Sequence, residues 1–109
     1  MENQLTIAGK GFHLANSIAY QADGIVSKKI IQEEKGNITL FAFDENQKLS
    51  EHSAPFDAFV QILDGDCEII IGGNVNILKT GDCIIMPANV PHAVNATTPF
   101  KMLLTMIRK

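Results

Sequence analysis

The stretch 81-GDCIIMPANVPHAVNA-96 carries most of the information about this chain. A short apolar run, 83-CIIM-86, leads into a turn that holds two prolines, and His92 follows directly after the second of them. Proline fixes φ and cannot donate to a sheet ladder, so Pro87 and Pro91 predict a break between two strands. His92, one of three histidines, then begins the next strand. Three roles are open for His92: a metal ligand, a catalytic acid or base, and a hydrogen-bonded structural residue.

The same pattern of short apolar runs and turn residues extends over most of the chain. Predicted strands lie near 25–32, 37–43, 58–63, 67–71, 75–78, 83–86, 92–96 and 100–107. Clusters of Gly, Asn and Asp separate them, and these residues favour turns because they accept positive φ or bond their own backbone. Gly72-Gly73-Asn74 between two apolar runs predicts a hairpin. Regular strands with turn punctuation predict an all-β sandwich or barrel.

Length and composition set the class of protein. The chain has 109 residues, 46% hydrophobic and 19% charged, which is typical of one globular domain. A net charge of -3 with scattered lysines argues against a nucleic-acid partner. No secretory signal and no apolar run of membrane-spanning length is visible, so we expect a cytoplasmic protein without a membrane partner. We expect an irregular N-terminal segment over residues 1–24, in contact with a dimer partner, and the barrel over residues 25–109.

Some predicted strands are apolar on both faces. In 100-FKMLLTMI-107 the residues Phe100, Met102, Leu104 and Met106 share one face, and Leu103 and Ile107 share the other. An antiparallel sheet in a small sandwich normally has one wet face, so the second apolar face needs a cover. A homodimer is the first expectation and coverage by the N-terminal segment the second. The two cysteines, Cys67 and Cys83, lack a CxxC pattern and are expected to be buried thiols.

Two segments together resemble the two signature motifs of the cupin superfamily. Within that superfamily, the chain most resembles small single-domain bacterial cupins of the RmlC-like type. Gly81, Pro87 and His92 fall at the spacing of the second motif, and His52 and Gly65 match positions of the first. Asn89 stands where the second motif has a glycine, which is tolerable because Asn also visits the left-handed region. Ala96 replaces the final Asn of that motif. The resemblance implies a cupin-type jelly-roll β-barrel, an antiparallel double-stranded β-helix.

The resemblance also implies where a metal would lie. In metal-bearing cupins the first motif offers two histidines and a glutamate, and the second motif offers one histidine. The matching positions here are His52, Ala54, Ala58 and His92, so Ala54 and Ala58 provide methyl groups in place of two donors. Two histidines are fewer than the three protein ligands of a catalytic zinc site. A divalent Fe, Mn, Ni or Zn ion held by His52 and His92 stays open, and the metal-free case is preferred.

The metal-free case is a mostly apolar pocket for a small organic molecule. The expected ligand-binding residues are His52, Phe56, Phe59, Gln61, Met86 and His92. The alternative is a metal-dependent enzyme of dioxygenase or isomerase type that uses His52 and His92 with an incomplete ligand set. Cupins perform many functions on one fold, so the fold alone does not choose between them.

Overall fold

The computed structural model describes residues 8–108. Residues 1–7 of the expected N-terminal segment and residue 109 of the expected barrel lie outside the described residues.

The described chain consists of one short 3-10 helix followed by antiparallel strands. The helix spans Ala15–Ser17, and the strands are β1 (Ile25–Glu33), β2 (Gly36–Phe43), β3 (Lys48–His52), β4 (Phe56–Asp64), β5 (Asp66–Ile71), β6 (Asn74–Lys79), β7 (Cys83–Met86), β8 (His92–Ala96) and β9 (Phe100–Arg108). They form a five-stranded sheet in the order β1-β2-β9-β4-β7 and a four-stranded sheet in the order β3-β8-β5-β6. Within the described residues, the sheets face each other without closing into one hydrogen-bonded barrel. The predicted all-β, jelly-roll fold is confirmed.

The predicted hairpin at Gly72-Gly73 is present between β5 and β6. Both glycines have positive φ, 55° and 85°, and Ile71 is paired with Asn74 across the turn. Positive φ at both central residues is what a type I′ turn requires, and this turn matches the twist of the strands. One strand was not predicted from the sequence. This strand is β3, which is mainly exposed and carries Lys, Ser, Glu and His rather than an apolar run.

The main hydrophobic core lies between the two sheets. Phe43 and Phe100 stack at its centre with ring centroids 4.6 Å apart. The predicted inner face of β9 is confirmed because Phe100, Met102 and Leu104 are all buried in this core. Fully burying side chains of this size stabilises the fold by about 1.5–3 kcal/mol each.

A second, smaller core lies on the outer face of the five-stranded sheet. Ile18 from the N-terminal segment packs there with Ile30, Leu40 and Ala42. Two polar contacts also hold the segment to this sheet: Tyr20 Oη donates to Asp64 Oδ2 at 2.5 Å, and Lys101 Nζ donates to the Ala15 carbonyl at 2.6 Å. The chain therefore covers part of its own second apolar face.

The rest of that outer face carries exposed apolar side chains. Ile85 on β7 is 60% exposed and Ile107 on β9 is 62% exposed. Their strands lie on either side of β4, whose outward Phe59 is also exposed. These exposed side chains are where the predicted homodimer contact would lie, and the homodimer stays a prediction.

The two cysteines have different surroundings. Cys67 is fully buried, as expected, and burial raises the pKa of its thiol to about 12. Cys83 is exposed, so the expectation of two buried thiols is wrong for this residue. Cys83 lies opposite Gln61 on the outer face of its sheet, because strand alternation turns Cys83 away from the inward-facing Met86.

No helix in residues 8–108 is long and apolar enough to cross a bilayer.

Candidate functional site

A cavity of about 250 Å³ lies between the two sheets. Ten of its twelve lining side chains are apolar, and the other two are histidines. The lining residues are Phe41, Leu49, His52, Ala54, Phe56, Ala58, Met86, His92, Val94, Met102, Leu104 and Met106. Both sheets contribute to the wall, so the site depends on the packing of the whole sandwich.

The two histidines of the cavity are direct neighbours. His52 at the end of β3 is paired with His92 at the start of β8. Their ring centroids are 4.4 Å apart and the rings meet edge to face at an interplanar angle of 67°. His92 is only 8% exposed, whereas His52 is exposed to solvent. The histidine pair therefore lies between the apolar cavity and the solvent.

Backbone contacts in the loop before β8 hold His92 in position. Asn89 has a φ of 66°, as expected for a residue in a glycine position of the motif, and its N–H donates to the Ala54 carbonyl at 2.8 Å. The Ala88 N–H donates to Asp57 Oδ1 at 2.9 Å. On the other side, the Gly72 N–H donates to the Pro91 carbonyl at 2.8 Å. These bonds connect the loop to the start of β4 and to the β5–β6 turn.

Gly65 has a steric reason to be glycine. Its φ is 82°, and a Cβ at this position would lie 2.1 Å from the carbonyl oxygen of Pro99. Any side chain would force the β4–β5 turn away from the start of β9. This motif residue shapes the turn between β4 and β5 and does not line the cavity.

Hydrogen bonding determines which nitrogen of each imidazole carries the proton. His52 Nδ1 lies 2.8 Å from the Ser50 carbonyl oxygen, and His92 Nδ1 lies 3.3 Å from the Val90 carbonyl oxygen. A carbonyl oxygen only accepts hydrogen bonds, so each contact requires hydrogen on Nδ1. In the neutral ring the other nitrogen, Nε2, is then an acceptor. The neutral pair therefore has two Nε2 acceptors.

The surroundings of His92 favour its neutral form. Burial is the largest cause and lowers the pKa of His92 below its ordinary value. The positive charge of protonated His52 acts in the same direction, and the Val90 carbonyl partly opposes both. No carboxylate lines the cavity, so a proton on His92 has no ionic partner there.

The structure brings together four of the six residues that the sequence indicated as ligand-binding. His52, Phe56, Met86 and His92 all line the cavity. Phe59 and Gln61 do not, and their expected placement is corrected. Both are separated from the inward-facing Ala58 on β4 by an odd number of positions, and alternate side chains of a strand point to opposite faces.

Several lining residues were not identified from the sequence as part of a site. They are Phe41, Leu49, Val94, Met102, Leu104 and Met106. The alternation of β9 indicated that its two methionines share a face. The register that places Met106 and Met86 on either side of Ala58 was not visible in the sequence.

The divalent metal site implied by the family does not fit the residues present. Ala54 and Ala58 line the cavity together with the two histidines. The two positions that would provide further metal ligands therefore present methyl groups to the cavity. Among the described residues, no group of three or more His, Cys, Asp or Glu side chains could hold a metal ion. Fewer than three such donors is too few for the catalytic sites of zinc.

The fold and the site together define a small jelly-roll protein with an internal apolar cavity and a histidine pair. A family model described as a cupin domain matches residues 39–107, and the chain belongs to this family. The predicted resemblance is confirmed. A search of curated proteins found no match.

Solved structures agree with this family. A conserved protein of unknown function from Streptococcus pyogenes is 35% identical with a TM-score of 0.89, and the match covers 93% of this chain and 89% of that one. A cupin 2 conserved barrel domain protein from Leptotrichia buccalis is 39% identical with a TM-score of 0.86, over 89% of this chain and 47% of that one. A cupin superfamily protein from Desulfitobacterium hafniense is 26% identical with a TM-score of 0.88, over 93% of each chain. This chain thus spans about half the length of the Leptotrichia protein and nearly all of the other two.

Proposed function

We propose that this cupin binds a small, mainly apolar organic molecule in the cavity between its sheets. The observation that carries the proposal is the cavity of about 250 Å³ with ten apolar lining side chains and one histidine pair. An apolar cavity with a few convergent polar groups is the usual form of a small-molecule site. The apolar wall provides affinity, and the histidine pair provides orientation.

The cavity volume limits the size of the ligand. Cavities that hold drug-sized molecules have volumes of about 300–1,000 Å³. An apolar protein cavity of about 150 Å³ binds benzene. The value of about 250 Å³ therefore favours a ligand larger than benzene and smaller than most drugs.

Toluene is a suitable first probe because it contains no hydrogen-bonding group. Binding is measured through the methyl NMR signals of Met86, Met102 and Met106, which line the cavity. We expect saturable shifts of these signals and a higher melting temperature, since a ligand that binds only the native state stabilises it. Unchanged signals with toluene, and with a set of aromatic and aliphatic fragments, would refute the proposal.

A matched pair of variants tests the location of binding. Ala58→Leu places a larger side chain in the cavity, and Ala93→Leu makes the same change on β8 at a position opposite Ile70, away from the cavity lining. We expect Ala58→Leu to weaken toluene binding, because it takes up part of the cavity volume, and Ala93→Leu to preserve it. Equal loss in both variants would show that the ligand binds elsewhere.

A metal-dependent enzyme of dioxygenase or isomerase type is the second candidate. The two Nε2 acceptors support it, because a histidine ligand commonly donates its other ring N–H to a carbonyl. The two alanines among the expected donors weigh against it. Elemental analysis after dialysis against Fe, Mn, Ni and Zn tests it, and a stoichiometric metal lost in both His52→Ala and His92→Ala would favour the enzyme.

A further inference from the structure

The polar end of the cavity selects a chemical class of ligand. We propose that the bound molecule is an alcohol or a phenol whose hydroxyl group donates a hydrogen bond to Nε2 of His52 or His92. This inference rests on the proposed ligand-binding function and specifies the ligand for the same cavity.

The first step of the argument is the direction of the hydrogen bond. Nδ1 of each histidine is held by a backbone carbonyl, Ser50 for His52 and Val90 for His92. The Nε2 atoms are therefore acceptors in the neutral pair. The other ten lining side chains have no hydroxyl, amide or charged group. A ligand that uses the polar end must then supply the donor.

The second step argues against a carboxylate ligand at His92, the buried member of the pair. A carboxylate has only acceptor atoms, so it would face the lone pair of Nε2 unless the imidazole took up a second proton. That proton is disfavoured for His92, which is 8% exposed and lies against another histidine. Arg108 contacts one lining residue, since its guanidinium carbon lies 5.7 Å from the Phe56 ring centroid. Arg108 does not itself line the cavity.

The third step excludes a charged amine. An ammonium group can donate to Nε2, but it brings a positive charge into an apolar wall. Burying a charge without a partner is unfavourable, and no Asp or Glu lines this cavity. A hydroxyl group donates the same hydrogen bond without that cost. The neutral donor is therefore the class that fits.

The closing experiment compares three ligands with the same ring and methyl group. They are para-cresol with a hydroxyl group, toluene with none, and para-toluate with a carboxylate. A net hydrogen bond in a protein is worth about 0.5–1.5 kcal/mol, so we expect para-cresol to bind roughly fivefold more tightly than toluene at neutral pH. We expect para-toluate to bind at least tenfold more weakly than para-cresol, because a buried acceptor without a donor is costly. Dissociation constants come from the methionine methyl shifts.

Two controls keep the inference separate from the proposed function. The long-range proton–nitrogen NMR correlation of the imidazoles shows the tautomer directly, and we expect hydrogen on Nδ1 in both rings. In the double variant His52→Phe with His92→Phe we expect toluene to bind while the preference for para-cresol disappears. A single His92→Phe variant, which leaves His52 as acceptor, shows which ring accepts the bond.

Each outcome has a defined meaning. Equal binding of toluene and para-cresol, tighter binding of para-toluate, or hydrogen on Nε2 of both rings overturns the hydroxyl inference and leaves the apolar cavity function standing. Failure of all three ligands to bind overturns the hydroxyl inference, and unchanged signals with the aromatic and aliphatic fragments as well overturn the cavity function. A preference for para-cresol that survives in the double phenylalanine variant also overturns the inference, because the acceptor would lie elsewhere.

Discussion

Replacing Ala58 with leucine is expected to make the protein more stable. Ala58 is 4% exposed and lines the cavity between Met86 on β7 and Met106 on β9. Leucine adds three carbons, each worth about 0.8 kcal/mol when buried. Its loss of rotamer freedom costs about 0.5–1 kcal/mol, which leaves a gain of about 2 kcal/mol.

The cavity volume shows that this gain is within reach. Cavities left by core truncations cost about 24 cal/mol per Å³, so a cavity of about 250 Å³ corresponds to an upper limit of about 6 kcal/mol. The leucine side chain recovers about a third of this limit. In a domain of this size, 1 kcal/mol shifts the melting temperature by about 4–8 °C, so Ala58→Leu is expected to melt roughly 10 °C higher.

Calorimetry and urea unfolding of Ala58→Leu, Ala93→Leu and wild type measure this effect. Ala93 is half-buried on β8 and lies outside the cavity lining, so Ala93→Leu adds the same carbons without filling the cavity and should not give the same gain. A loss of about 1–3 kcal/mol in Ala58→Leu would mean overpacking. That result would refute the reasoning, since the space beside Ala58 would then be too small for a ligand as well.

Three further predictions concern metal binding by a variant, the pH dependence of stability due to His92, and the reactivity of the two cysteines. The double variant Ala54→His with Ala58→Glu supplies the two missing metal ligands. Its free energy of unfolding is expected to rise by about 4 kcal/mol at zinc concentrations a thousandfold above Kd, whereas that of wild type does not change. Equal stabilisation of wild type by zinc would contradict the argument that the two ligands are missing. The lowered pKa of His92 means that the unfolded chain binds more protons. Stability should therefore be complete above the unfolded value of about 6.5 and fall as pH drops through it toward the folded pKa; an unchanged pH slope in His92→Gln would exclude His92 as the source. Native protein should react with a thiol reagent at exposed Cys83 alone and denatured protein at Cys67 as well; rapid native labelling of both would contradict the burial of Cys67.

The fold was predictable where apolar runs and turn residues coincide. Gly72-Gly73 indicated its hairpin because few residues accept positive φ in succession, and the spacing from Gly81 to His92 indicated the barrel motif. The strand β3 was not predicted because it is an exposed strand whose polar residues have no alternating pattern. Its stability comes from pairing with β8, which is a long-range interaction that local sequence does not encode.

The site was predictable in part for a similar reason. The motif indicated His52 and His92, and strand parity would have excluded Phe59 and Gln61 once Ala58 is taken as inward-facing. The neighbours of Ala58 could not be assigned, since they depend on the register of β4 with β7 and β9. A shift of one residue would have exposed Met106 and buried Ile107.

The alanines at positions 54 and 58 affect the chemistry of the cavity more than the position of its histidines. The backbone bonds that hold the His92 loop start from Ala88 and Asn89 and do not depend on the side chains of positions 54 and 58. The histidine pair is therefore held in place independently of the side chains at positions 54 and 58. No carboxylate lines the cavity, and burial favours the neutral form of His92 by lowering its pKa. The small side chain of Ala58 also leaves volume beside Met86 and Met106. Both features favour a neutral organic ligand over a divalent ion, and the measured preference among para-cresol, toluene and para-toluate tests this directly.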